Sequence, residues 1–518
     1  MSGAKPSRRS VVRAGAVMLV VGTAHAAKAE RVNAPSGAFV GTTQDGVRAF
    51  RGIRYGRAER FQAPRPVSAA GQTVHATDFG PVAPQHGPYG PQSEDCLFLN
   101  IWTADTHPAA GKPVMLYIHG GAYSGGSVTD PLNDGQHLAA RGDVVVVSVN
   151  HRLNALGYLY LARFDPRFAD SGNAGQLDLI LALRWVRDNI ASFGGDPSRI
   201  LVFGQSGGGA KIATLMGMPA ARGLFRRAAT MSGQQVTVSG PLNATARSRA
   251  YLARLDVRET DLSALLAMPV ERLVAALDAP DPILGGGIYF GPVLDMTWLT
   301  RHPFWPDANP QSTGIPMILG NVRDEARAFI SPDSPKVRAI DWSTLAAALA
   351  PELRIDVLPE WVVAEYRAHF PDWSPTEVFY AATTAGRSWR GQVIEAEARA
   401  AANAPGWVYQ VNYGSRTDAR RGAFHTMDIP LVFGTLDATG SQTGTGADAR
   451  AASAAMQDSF VSFARVGDPN HAGLPDWPTY RADSRSTMLF DARSRVEDDP
   501  RRWQRELFAR IPYIQPGT

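Results

Sequence analysis

The chain has 518 residues, 44% of them hydrophobic, which is enough to bury a large core and excludes a disordered chain or a small disulfide-stapled fold. Lys and Arg number 52 against 48 Asp and Glu, a formal charge of +4 dispersed along the chain and too weak for a nucleic-acid reader. The one cysteine, Cys96, rules out an internal disulfide framework and a cysteine-ligated metal site.

Residues 1–29 read as an export signal. Lys5, Arg8, Arg9 and Arg13 form a basic start, Ala14 to Val21 an apolar run, and Ala24-His25-Ala26 a small-x-small cleavage site. The run is too short to span a bilayer, which takes ~20 apolar residues. Ser7 to Arg13 also resembles a twin-arginine signal. The alternative is a basic N-terminus that stays attached. Cleavage after Ala26 would remove those four cations and no acid, leaving a neutral mature chain. The weak basicity therefore implies no anionic partner. No cysteine follows the apolar run, which argues against a lipoprotein anchor, and no later stretch is long and apolar enough to span a membrane. The expectation is an exported protein, periplasmic or extracellular, with residues 30–518 forming one catalytic domain.

Residues 36 to 104 are turn-rich with short strand-like pieces. Pro113 to Ile118 is an apolar run stopped by His119-Gly120-Gly121, and Asp143 to Val149 is rich in valine. Continuous runs of this kind fit strands buried on both faces of a parallel sheet. Residues 173–192 switch to helical periodicity through Leu177, Ile180, Leu181 and Trp185. Ile200 to Phe203 is a third strand, followed by Gly204-Gln205-Ser206-Gly207-Gly208 and a small-residue helix from Gly209 to Met216. Pro316 to Gly320 and Trp407 to Val411 are further strands. The stretches 241–285 and 337–402 are mostly helical insertions. Strands alternating with helices predict an α/β fold with a large, mostly parallel central sheet.

The chemistry concentrates at Gly204-x-Ser206-x-Gly208. A hydroxyl on a tight strand-to-helix turn is thrust out of the sheet edge, and the glycines allow the backbone to turn and approach closely. The following helix aims its first N–H groups at the reaction centre. Alone the pattern is also met as an ordinary Gly-Ser turn, but here the strand and helix lie where an elbow requires them. His119-Gly120-Gly121-Ala122, at the end of an earlier strand, can present backbone N–H groups unobstructed. With the N–H of Gly207, those of Gly121 and Ala122 would make a three-donor oxyanion hole.

Together these segments resemble the type-B carboxylesterases of the α/β-hydrolase fold, relatives of the cholinesterases. Phe193 to Gly208 matches that family's active-serine signature, and Glu94 to Trp102 its second signature. Asn150 to Tyr158, Gly172 to Gly175 and Gly291 to Asp295 match further family segments. The resemblance implies an acid and a base in the order Ser, Glu, His. The acid is Glu325 in Gly320-Asn-Val-Arg-Asp-Glu325, with Asp324 as runner-up. The base is His425 in Gly422-Ala-Phe-His425-Thr-Met-Asp-Ile-Pro430. It further implies that Ser232 supports the acid from behind, the alternative being a plain strand-end serine. His119 is expected to shape the oxyanion loop.

Departures from the family bear on substrate. Gln205 stands where glutamate is usual, removing a negative charge beside the nucleophile, and Gly207 replaces the usual alanine. Cys96 sits where the family commonly has one end of a disulfide. His86 stands where cholinesterases carry a choline-stacking tryptophan, so choline esters are disfavoured. Gly285 to Phe290 should border the acyl side of the pocket, its three glycines implying either a less filled pocket or a flexible loop. The implied activity is hydrolysis of small to medium uncharged carboxylic esters through an acyl-enzyme, with no metal or organic cofactor. Alternatives are a hydrolase of one bulky ester, or an amide or carbamate hydrolase. A non-catalytic adhesion relative is disfavoured because Ser206, Glu325 and His425 are all present.

Overall fold

The computed structural model describes residues 30–353, 355–515 and 517, so the expected export signal lies outside the described residues. The described chain opens on β1 (Glu30–Ala34), β2 (Gly37–Gln44) and β3 (Val47–Arg54), each antiparallel to the one before. Asp45 and Gly46 both adopt positive φ, which closes the tight β2–β3 hairpin. There follow β4 (Phe98–Thr103), β5 (Lys112–Ile118), β6 (Val145–Val149), β7 (Gly195–Gln205), β8 (Arg227–Met231), β9 (Met317–Val322), β10 (Gly406–Val411), β11 (Ser486–Phe490) and β12 (Arg495–Asp498). In space the order is β1-β2-β3-β4-β6-β5-β7-β8-β9-β10-β11-β12, with Ala69–His75 pairing beside β2. From β6 through β11 neighbouring strands are parallel, whereas β1 to β4 and β12 pair antiparallel and Ala69–His75 runs parallel to β2.

Every residue of β5 and β6 is buried, as the unbroken apolar runs require. Alternation then sorts their side chains. Val114, Leu116 and Ile118 enter one core with α1 (Ala174–Asn189) and α2 (Gly207–Gly217). Met115 and Tyr117 enter the opposite core with α3 (Asp428–Phe433) and α4 (Ala447–Val466). The helical insertions are present as Pro241–Arg254, Ser263–Ala267 and Val270–Ala275, and as a second group from Leu345 to Ala401.

The structure differs from the sequence reading at the N-terminal flank. Residues 37–54 form two eight-residue strands with alternating burial, where only short strand-like pieces were expected. Their arginines and glycines mask the apolar alternation. Cys96 is buried and unpaired.

Candidate active site

Ser206 lies between β7 and α2 with φ 55° and ψ −124°, a backbone conformation costly for a residue with a side chain. Its surroundings fix it there. The Ser206 N–H donates to the Met231 carbonyl at 2.7 Å, tying the turn to the end of β8. A β-carbon at Gly208 would overlap the Ile118 carbonyl, and one at Gly233 would overlap the Ser206 carbonyl. The glycines are thus required by close backbone approach, as the elbow argument demands.

Glu325 and His425 meet from the ends of two different segments, and the His425 backbone lies against Gln205, the residue before Ser206; no hydrogen bond joins Ser206 to His425 among the described residues. Glu325 follows β9 and is buried. Its Oε1 accepts from Asn321 Nδ2 at 2.9 Å and from the Val322 N–H at 3.0 Å. Its Oε2 accepts a short hydrogen bond from His425 Nδ1. A carboxylate only accepts, so Nδ1 carries a proton, and in the neutral imidazole Nε2 is then left with its lone pair. Nε2 is buried and has no hydrogen-bond partner among the described residues. The Gln205 amide donates to the His425 carbonyl at 2.6 Å, which holds the histidine backbone beside the residue preceding Ser206. Asp324, the runner-up acid, points elsewhere: its Oδ2 accepts from the Ala423 N–H at 2.9 Å and from Arg323 Nε at 3.0 Å.

The oxyanion loop is aimed by its carbonyls. His119 Nδ1 donates to the Gly120 carbonyl at 2.9 Å, and the Gly121 carbonyl accepts from the N–H groups of Ser124 and Gly125 at 3.1 and 3.0 Å. In a trans peptide the C=O and N–H point in opposite directions. The N–H groups of Gly121 and Ala122 are therefore turned away from these partners. Neither they nor the N–H of Gly207 donate to another group among the described residues. A β-carbon at Gly120 would come within 3.2 Å of Ser206 Cβ, so the loop lies directly against the nucleophile. Burial pushes His119 down to about 3, so it is a neutral donor at working pH, as its expected loop-shaping part requires.

Among the described residues Ser232 does not make the hydrogen bond expected of it: its Oγ is buried without a partner there, and Asn321 donates to the acid. The sequence reading also passed over Asp428. Its Oδ2 accepts from Tyr409 at 3.2 Å, and burial followed by the charge of Glu325 pushes it up to about 7. Both residues lie inside motifs already singled out, but no spacing rule assigns them a partner. Phe329, half exposed, sets its ring 4.7 Å from that of His425 and gives the site an apolar wall. In the stretch expected to border the acyl side, Asp281 collects the N–H groups of Ile283, Leu284 and Tyr289 together with Arg247. That anchors the stretch containing the three glycines, and Tyr289 stacks edge-on at 6.2 Å against Tyr123 of the oxyanion loop.

Other motif segments meet across long separations. Asn173 donates to the Val293 carbonyl at 2.9 Å and accepts from its N–H at 3.2 Å, joining the Gly172 and Gly291 segments. The profile of the carboxylesterase family matches residues 28–508. The chain belongs to the carboxylesterase family. It is 35% identical to the para-nitrobenzyl esterase of Bacillus subtilis over 494 residues, 91% of this chain and 96% of that one. It is 32% identical to the phenmedipham hydrolase of Pseudarthrobacter oxydans, covering 88% and 93% of the two chains. A solved carboxylesterase of Geobacillus stearothermophilus superposes with a TM-score of 0.82 at 35% identity, over 92% of this chain and 99% of that one. This member of the family is thus a carboxylic-ester hydrolase with the α/β-hydrolase fold.

Proposed function

We propose that this carboxylesterase works through Ser206 as nucleophile, His425 as base and Glu325 as acid, with Gly121, Ala122 and Gly207 holding the oxyanion. The observation that carries the reading is the buried pair of Glu325 and His425, which leaves Nε2 unpartnered with its lone pair free. Nε2 takes the Ser206 proton as the oxygen attacks the ester carbonyl, and Glu325 fixes the tautomer and stabilises the imidazolium. His425 then protonates the leaving alcohol. Water, deprotonated by the same nitrogen, cleaves the acyl-enzyme. The three N–H groups receive the negative oxygen in both halves.

Small to medium uncharged esters fit this site best. Gln205 carries no charge, and Phe329 sets an apolar ring against His425. Ser206→Ala should abolish hydrolysis of p-nitrophenyl butyrate and labelling by a fluorophosphonate probe. Retained labelling would show that another residue is the nucleophile. The basic start and apolar run of residues 1–29 support export to the periplasm or beyond. Replacing Arg8 and Arg9 by Lys should leave the esterase inside the cell, and unchanged secretion would refute a twin-arginine route.

A further inference from the structure

Helix α2 carries one lysine, Lys211, five residues after the nucleophile, and its side chain is fully buried. A buried ammonium normally sits against a carboxylate. Lys211 has none among the described residues. Its Nζ donates instead to the Ala122 carbonyl at 2.6 Å, with the His119 carbonyl at 3.5 Å and the Tyr123 ring centroid at 5.2 Å. Every one of these contacts belongs to the loop that holds the oxyanion donors. The Ala122 carbonyl lies against Gly207, where a β-carbon would overlap it. Ala122 itself has φ 52°, a left-handed conformation that an alanine adopts only when its surroundings impose it.

We propose that Lys211 is a positioning residue for the oxyanion hole, its ammonium holding the Ala122 carbonyl in the gap left by Gly207 and so pinning the far end of the loop whose two preceding peptide planes carry the Gly121 and Ala122 N–H groups. The carbonyls of Gly120 and Gly121 are held by His119 and by the turn at Ser124 and Gly125. The Ala122 carbonyl is the next in line, and Lys211 is its only partner among the described residues. The remaining titratable groups facing the ammonium, His119 and His151, are stacked 4.8 Å apart and kept neutral by burial and by the lysine charge. Gly207, where the family usually has alanine, leaves the space that the Ala122 carbonyl occupies.

This inference rests on the oxyanion reading above, and the test separates the two. The readout is the ratio of kcat/KM for a p-nitrophenyl ester to that for its thiono analogue, whose sulfur draws less from N–H donors. The ratio does not change with the fraction of active protein. Lys211→Met should lower kcat for the ester at least about tenfold, leave KM within about threefold, and lower the ratio at least about fivefold. Lys211→Gln, whose amide falls one atom short of the carbonyl, should lower the ratio likewise, so a poorly folding Met variant leaves the test standing. Gly207→Ala, which displaces the same carbonyl, should do so too. A ratio within twofold of the parent in the lysine variants overturns the proposal and makes Lys211 a packing residue. Persistent turnover in Ser206→Ala would instead overturn the reading of the site beneath it.

Discussion

At the scale of single residues the site is a set of hydrogen-bond directions, and these decide between adjacent carboxylates. Glu325 gives one oxygen to Asn321 and Val322 and the other to His425, whereas Asp324 is spent on Ala423 and Arg323. Glu325→Gln would place a donor or a weaker acceptor against Nδ1 and disturb the tautomer. It should lower kcat by ~10²–10⁴-fold. Asp324→Asn keeps an acceptor for the Ala423 N–H and should cost less than about tenfold on the same scale. Parallel kcat measurements with p-nitrophenyl butyrate check this, and a larger loss in Asp324→Asn would sink the assignment. The motif Gly320 to Glu325 made both acids visible in the sequence, but spacing alone could not say which oxygen faces an imidazole a hundred residues away. Nor could it show that Ser232 would be left unpartnered while Asn321 took its place.

At the scale of elements, the strands that carry the site were legible because they are buried on both faces. Pro113–Ile118 of β5, β6 and Ile200–Phe203 of β7 are continuous apolar runs, buried throughout as a central parallel strand requires. The flanking β2 and β3 were not, since an alternating pattern broken by Arg48, Arg51 and Gly52 reads as turns until a partner strand is in place. What joins the elements near the site is ionic. Arg152, after β6, donates to Asp178 of α1 from Nε at 2.9 Å, from its terminal nitrogen at 2.7 Å and from its backbone N–H at 3.0 Å. Both side chains are buried. Asp178→Ala would strand the guanidinium and should destabilise the protein by ~3–5 kcal/mol. Urea unfolding would show it as a lowered midpoint, and an unchanged midpoint would mean that water or another acceptor replaces the carboxylate.

At the scale of the whole molecule, buried charge sets the pH range of stability. Glu395 accepts from the Gln235 N–H at 2.6 Å, and burial pushes its carboxyl up to about 8. An unfolded glutamate titrates near ~4.3, so between that value and about 8 the native state holds a proton that the unfolded state has released. Stability from this group therefore falls as pH rises through that window, and Asp428, pushed up to about 7, acts in the same direction. Lys211, pushed down to about 7 by burial, acts oppositely and only above that pH. Glu395→Gln removes the largest of the carboxyl contributions. Its Tm should gain on the parent progressively from pH 5 to pH 8 in thermal scans, and parallel Tm curves would contradict the account. The amino-acid sequence by itself determined the parallel core strands and the strand-to-helix turn at Ser206, and through the resemblance it nominated His425 with Glu325 or Asp324, because each is a local pattern of burial, turn geometry or resemblance. Only the tertiary structure decided which carboxylate meets His425, which carbonyls aim the oxyanion donors and what the buried Lys211 faces, because those depend on the direction of bonds between segments distant in sequence, and no local pattern encodes a direction in space.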